Sequence, residues 1–236
     1  VKTLLKIDAS ARNLHNAKAS YRSLSRQLSD YFTAQWMDQP HKYSIIHRDV
    51  GLAPPTFMSE AWIGAAFTPE EKRSQPQQTE LALSDQLINE VVAADLIVIS
   101  TPMYNYGMPA SLKAWFDQVV RVNKTFSFDL NRGDFPLQPI LSGKTLVLLT
   151  SCGEFGFGPG GVRESMNHLG PHIRTLSHYL GVEHFHEIGI EYQEFNDERH
   201  RASIDAAYTA ARQLVGQLTG NRNVSSEVRA PAPNDH

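Results

Sequence analysis

The chain has 236 residues, 41% of them hydrophobic and 20% charged, and a formal net charge of −3 at pH 7. That length and apolar content supply the core of one full-sized domain, and a near-neutral balance of mixed signs excludes a general nucleic-acid binder, whose partner demands a basic face. Cys152 is the only cysteine, so neither an intrachain disulfide nor a cysteine-built metal site can form, a composition suited to the cytoplasm.

The opening residues Val1-Lys2-Thr3-Leu4-Leu5-Lys6-Ile7-Asp8 are too short an apolar run for a signal peptide. No later stretch approaches bilayer length, so no membrane partner is expected. Apolar runs at Thr3 to Ile7, Ala94 to Ser100, Thr145 to Thr150 and Val182 to Ile190, with a weaker one at Tyr43 to His47, predict five strands. Between them, the spacings Leu24-Leu28-Tyr31-Phe32, Leu83-Leu87-Val91-Val92 and Leu112-Trp115-Phe116-Val119-Val120 predict helices. This alternation implies an α/β, doubly wound parallel sheet covered on both faces, with ligands outside the carboxyl ends of the strands. The segment from Gly51 to Gln78, punctuated by Pro54, Pro55, Pro69 and Pro76, reads as an irregular insertion with short helical pieces. Ile204, Ala207, Ala211, Leu214, Val215 and Leu218 predict a closing helix over Ala202 to Leu218, ended by Gly220. Residues 1–220 thus read as a single domain and residues 221–236 as a disordered tail.

Three loops after strands carry the chemistry. After the first strand, Asp8-Ala9-Ser10-Ala11-Arg12 is followed by Ser20-Tyr21-Arg22-Ser23-Leu24-Ser25-Arg26 at the start of an amphipathic run. Free amides at a helix N-terminus and small hydroxyls beside them suit a phosphate; equally, Ser23 or Ser25 is a plain helix cap. After the third strand, Thr101-Pro102-Met103-Tyr104-Asn105-Tyr106-Gly107-Met108-Pro109-Ala110 is restricted by proline at both ends and offers aromatic faces to a planar heterocycle. On composition alone, a packed turn of core aromatics fits the same residues. The third loop is Ser151-Cys152-Gly153-Glu154.

The Pro-Met-Tyr-Asn-Tyr-Gly-Met-Pro loop with its following Leu-Lys-Ala-Trp-Phe-Asp, the serine loop before it and the loop after strand four resemble, in that order, the FMN-dependent NADH azoreductase/quinone oxidoreductase family of the flavodoxin-like superfold. The resemblance extends to about Leu218 and implies a five-stranded sheet of order 2-1-3-4-5. It implies that Ser10, Ser23, Leu24 and Ser25 hold the FMN phosphate, and that Met103, Tyr104, Asn105 and Tyr106 line the isoalloxazine ring, with Asn105 near the reactive edge. Ser151, Cys152, Gly153 and Glu154 occupy the corresponding third loop. The family usually has an arginine and a second glycine where Cys152 and Glu154 stand, a departure on the pyrimidine side of the flavin. The following Phe155-Gly156-Phe157-Gly158-Pro159 reads as a modified lid. The resemblance further implies ping-pong electron transfer from NADH or NADPH to quinones and azo compounds. It implies a homodimer with its flavin sites at the interface, Tyr179 being contributed by the partner chain. Arg12, Arg22, Arg26 and Arg163 are candidates for the second phosphate that distinguishes NADPH.

Rival readings are a flavodoxin-type electron carrier, which the mild acidity disfavours, and a non-catalytic regulatory dimer on the same fold. Gly156-Phe157-Gly158-Pro159-Gly160-Gly161 matches a dinucleotide fingerprint in letters, but it lies several residues after strand four, and Glu183 begins the next run where the ribose ligand should end it. No metal is expected: Pro171 interrupts the His168 and His172 pair, and His184 and His186 lack a third ligand. Cys152 in a glycine turn has no evident base to activate it.

Overall fold

The computed structural model describes residues 2–18, 21–40 and 42–220; Ser20 and the expected tail at 221–236 lie outside them. Five parallel strands form one sheet: β1 (Lys2–Asp8), β2 (Tyr43–Asp49), β3 (Leu96–Pro102), β6 (Lys144–Ser151) and β7 (Val182–Ile190), in the spatial order β2-β1-β3-β6-β7. Counted among themselves these strands have the expected order 2-1-3-4-5. The flavodoxin-like fold read from the sequence is the one observed.

The central strands are buried on both faces, which is why β3 and β6 carry continuous apolar stretches and β1 one interrupted only by Lys6, while the edge strand β2 does not. Successive residues alternate between two cores. Leu4, Val98, Val147 and Leu149 face α1 (Leu24–Met37) and α6 (Glu198–Thr219), where Phe32, Trp36, Ala211 and Val215 are buried. Leu5, Ile97, Ile99 and Leu148 face α3 (Gln75–Ala93), α4 (Ala110–Val119) and α5 (Gly170–Ser177), meeting Leu87, Trp115, Phe116 and Ile173. Each buried valine, leucine, isoleucine or phenylalanine among them contributes about 1.5–3 kcal/mol by leaving water.

Helix α6 begins a turn before the expected Ala202 because Asp197 caps it, accepting from the Arg199 N–H at 3.0 Å. It ends as expected at Gly220, whose φ of 76° is the left-handed conformation of a C-terminal cap.

The 51–78 insertion contains α2 (Glu60–Phe67), capped by Ser59, and a single turn at Glu70–Lys72 before α3 starts at Gln75. A buried amide bolts it down: Trp62 Nε1 donates to Gln118 Oε1 at 2.9 Å, and Gln118 Nε2 donates to the Thr56 carbonyl at 2.8 Å. An antiparallel hairpin, β4 (Phe126–Phe128) with β5 (Leu137–Pro139), precedes β6 and was not anticipated. Its three-residue strands are too short to show a period of two, and Pro136 and Pro139 mask them further. Among the described residues no helix is long and apolar enough to cross a membrane.

Candidate active site

Parallel pairing aligns the carboxyl ends of β1, β3 and β6. Asp8 pairs with Ser100, and Pro102 with Ser151, so the three loops leave the sheet side by side.

In the first loop Ser23 is the N-cap of α1, its Oγ accepting from the Arg26 N–H at 3.3 Å. Ser23 Oγ lies 3.2 Å from Ser25 Oγ, and both side chains are buried. Ser10, 2% exposed, accepts from the Arg12 N–H at 3.1 Å, which leaves its hydroxyl proton available to a further acceptor. The capping role and an anion-binding role therefore coexist, since the amides of Leu24 and Ser25 in the first helical turn have no intrahelical acceptor.

The second loop is a reverse turn closed by two backbone bonds, Tyr104 N–H to Gly107 O at 2.9 Å and Gly107 N–H to Tyr104 O at 3.0 Å. Asn105 (φ 49°) and Tyr106 (φ 65°) both take the left-handed conformation. For asparagine that conformation is tolerated, but for tyrosine it stores about 1–2 kcal/mol. Tyr104, Asn105 and Tyr106 are exposed, not core aromatics. No described residue accepts from the Asn105 or Tyr106 N–H. Met103 stands at the base of the turn, its N–H donating to Ser151 O at 2.8 Å.

The third loop is tied to the chain after β7. Cys152 N–H donates to Ile190 O at 2.9 Å and Tyr192 N–H to Glu154 O at 2.9 Å. A Cβ on Gly153 would lie 2.6 Å from the exposed Glu194 side chain, which would have to swing aside to admit it. Burial, with Glu191 and Glu154 nearby, pushes the Cys152 thiol up to about 12, so it is no nucleophile at neutral pH. Glu154 pairs with Arg163 at 3.0 Å. Arg163 also lies 4.6 Å from the Phe155 ring centroid and donates to the Phe155 carbonyl at 3.1 Å. The expected lid is held on several sides. Glu191 Oε1 accepts from the Gly156 N–H at 3.0 Å, Asn167 Nδ2 donates to the Phe157 carbonyl at 3.1 Å, and Phe155 stacks on Tyr192 at 4.5 Å. Phe157 is 6.2 Å, ring to ring, from Tyr106, which joins the third loop to the second.

Residues 3–215 match the family described as having a flavodoxin-like fold. The chain is 59% identical over 216 residues to the FMN-dependent NADH:quinone oxidoreductase 2 of Colwellia psychrerythraea, covering 92% of this chain and 99% of that one. The chain belongs to the flavodoxin-like family of the FMN-dependent NADH:quinone oxidoreductases. It is also 40% identical over 195 residues to the FMN-dependent NAD(P)H:quinone oxidoreductase 1 of Pseudomonas aeruginosa, covering 82% of this chain and 92% of the relative. The fold is shared with the crystal structure of an azoreductase from Bacillus anthracis, at a TM-score of 0.78 and 17% identity over 92% of this chain and 100% of that chain.

Within this family member, Ser10, Ser23, Leu24, Ser25, Met103 to Tyr106 and Ser151 to Glu154 all lie at the carboxyl end of the sheet. Tyr179 does not. It sits ahead of β7 at the opposite end, packed edge-on against Phe126 at 5.6 Å. Glu183 holds the Gly143 N–H at 2.9 Å, also at that far end, consistent with the rejected dinucleotide fingerprint. Of the candidate arginines, Arg26 and Arg163 are already paired with Asp49 and Glu154. Arg22 donates to the Asn16 carbonyl at 3.1 Å, and Arg12 is exposed beside the Tyr21 ring.

Sequence reasoning missed a buried charge network beneath the first loop. Asp8, 1% exposed, accepts from Ser100 Oγ at 2.5 Å and from His47 Nε2 at 2.8 Å, with Lys6 Nζ at 3.1 Å. Burial alone would raise its carboxyl, but the His47 bond, the Lys6 charge and the Ser100 bond hold it down at about 2. The available signal was that the first two apolar runs are both followed by an acid, Asp8 and Asp49, within two residues.

Proposed function

We propose that this protein is an FMN-dependent oxidoreductase that transfers two electrons from NADH or NADPH to quinones and azo compounds. The observation that carries the reading is the meeting, at one end of the sheet, of a buried serine cluster on a helix N-terminus and an aromatic turn with two amides that no described residue accepts from. These residues fit FMN: Ser10, Ser23 and Ser25 and the first amides of α1 suit its phosphate, and Met103 to Tyr106 suit the flat ring, with the amides of Asn105 and Tyr106 toward its polar edge. Bound there, FMN supplies the two-electron hydride chemistry. For a quinone the balance is NAD(P)H plus a proton plus quinone, giving NAD(P)+ and quinol.

The chain's own residues orient and desolvate. Tyr104 and Tyr106 present aromatic faces, Asn105 stands at the reactive edge, and the wall of Phe155 to Pro159 with Ser151 to Glu154 closes the pyrimidine side. Donor and acceptor use the same face in turn, which gives ping-pong kinetics. The 59% identity to a relative named for NADH and quinone supports both substrates.

Residues 1–220 act as one domain, in the cytoplasm, as a homodimer in which Tyr179 comes from the partner chain. Phe57, Phe67, Leu130 and Phe135 are 72–84% exposed, apolar surface that a second copy would cover. In the deciding experiment, NADH or NADPH is added anaerobically to the FMN-loaded protein, followed by a benzoquinone. Bleaching and recovery of the flavin absorbance in two separate steps are expected. Bound flavin that neither nicotinamide bleaches would make the protein an electron carrier.

A further inference from the structure

One peptide in the first loop is gripped from both sides. The Ser10 carbonyl accepts from Arg26 Nη2 at 2.6 Å. Arg26 is 3% exposed and is itself fixed by a two-pronged pair with Asp49, Nη1 to Oδ2 at 2.6 Å and Nη2 to Oδ1 at 2.7 Å. Asp49 is anchored in turn by the Leu52 N–H at 2.9 Å. On the other side lies Gly51, where a Cβ would come within 2.1 Å of the same Ser10 oxygen. Gly51 N–H donates to Asp8 O at 3.0 Å, which holds that backbone against the end of β1. The glycine is needed for close approach, since its φ is ordinary.

A trans peptide points its carbonyl and the following N–H in opposite directions. With the Ser10 oxygen drawn inward between Arg26 and Gly51, the Ala11 N–H faces out, and no described residue accepts from it. The charge of Arg26 is matched by Asp49, so it adds little net field to the loop; what it fixes is the direction of the dipole.

We infer that Arg26 and Gly51 are positioning residues that hold the Ser10–Ala11 peptide with its N–H outward, making the first loop a receptor for a phosphate monoester dianion. This rests on the FMN reading for the identity of the ligand but not for the existence of the receptor. Rotation of that peptide would present a carbonyl oxygen to the anion in place of an amide.

Two measurements on the full chain test it. Flavin-free protein is titrated with FMN and with riboflavin, which lacks the phosphate, for wild type, Arg26→Met, Arg26→Lys and the double variant Arg26→Met with Asp49→Asn, which leaves no uncompensated carboxylate. Loss of one charge-supported contact predicts FMN affinity falling about 10- to 100-fold in Arg26→Met and in the double variant, riboflavin affinity changing less than about threefold, and partial recovery in Arg26→Lys. Equal loss for both flavins, or no loss for FMN, overturns the inference. Separately, inorganic phosphate is titrated while the Ala11 amide resonance is followed. A saturable shift in wild type that Arg26→Met abolishes supports the receptor even if FMN does not bind, in which case the FMN reading fails alone. A wild-type Ala11 amide that phosphate does not move overturns the receptor.

Discussion

Replacing Asp8 by asparagine removes the hub of the buried network, and its cost should depend on pH in a calculable way. The carboxyl titrates at about 2 in the folded chain, against an ordinary 3.8. A depressed folded value means stabilisation that is fully present above the unfolded value and is lost as pH falls through the folded one. The shift corresponds to about 2.5 kcal/mol at neutral pH. Asp8 is 1% exposed, so solvent screening reduces this little. The assay is urea unfolding of wild type and Asp8→Asn at intervals from pH 7 to pH 2.5. The stability difference between them should stay constant down to about pH 5, shrink by about 1 kcal/mol by pH 3 and keep falling toward pH 2. A difference that is flat from pH 7 to pH 2.5 would show that Asp8 is not held as an ion by Lys6, His47 and Ser100, and the reasoning would fail.

Asn105→Gly keeps the left-handed turn at φ 49°, whereas Asn105→Ala adds about 1 kcal/mol of backbone strain; stopped-flow reduction by NADH should slow in the glycine variant with FMN still bound, and an unchanged rate would remove the side chain from the reactive edge. Cys152, at about 12 instead of 9.0, should react with a disulfide reagent about a thousandfold more slowly than an ordinary thiol at pH 8, so labelling should appear only on unfolding, and prompt labelling of folded protein would contradict the burial. Gln118→Ala leaves Trp62 Nε1 without its partner and should cost about 1–3 kcal/mol, with proteolysis inside 51–67 preceding global cleavage; cleavage as slow as in wild type would mean that other contacts hold the insertion. Glu154→Gly releases Arg163 and should lower KM for anionic quinones relative to neutral ones, while an unaltered ratio would place that ion pair away from the acceptor.

The parts of the fold that could be read from the chain are those in which one residue type repeats for one physical reason. The runs at β3 and β6 are continuous, and that at β1 is broken only by Lys6, because both faces are buried, and the heptad-like spacing in α4 survives because one stripe meets the core. The hairpin at Phe126 to Pro139 lacked any such repetition. The site divided along the same line. Tyr104 to Gly107 are contiguous and therefore recognisable as a motif, and their proximity to Ser151 and Ser10 follows from the expected strand order alone.

Charges that act together are harder to find, because nothing in the local sequence says that Asp8, Arg26 and Asp49 are neighbours. Register decides it. Asp8 pairs with Asp49 at the last position of the β1–β2 ladder, and two carboxylates brought that close require cations between them. The helix following β1 must start near the end of that strand, so its first turn can supply one: Arg26, the third residue after the Ser23 cap. Lys6, two residues before Asp8 and hence on the same face of β1, supplies the other. Both cations are thus consequences of the strand pairing, and the carbonyl of Ser10 is held inward by a guanidinium whose first duty is to neutralise Asp49. The sheet's need to bury paired acids and the loop's need for a fixed peptide are met by the same side chain, so a substitution that relieves the charge without replacing the donor should leave the fold intact and disable the loop.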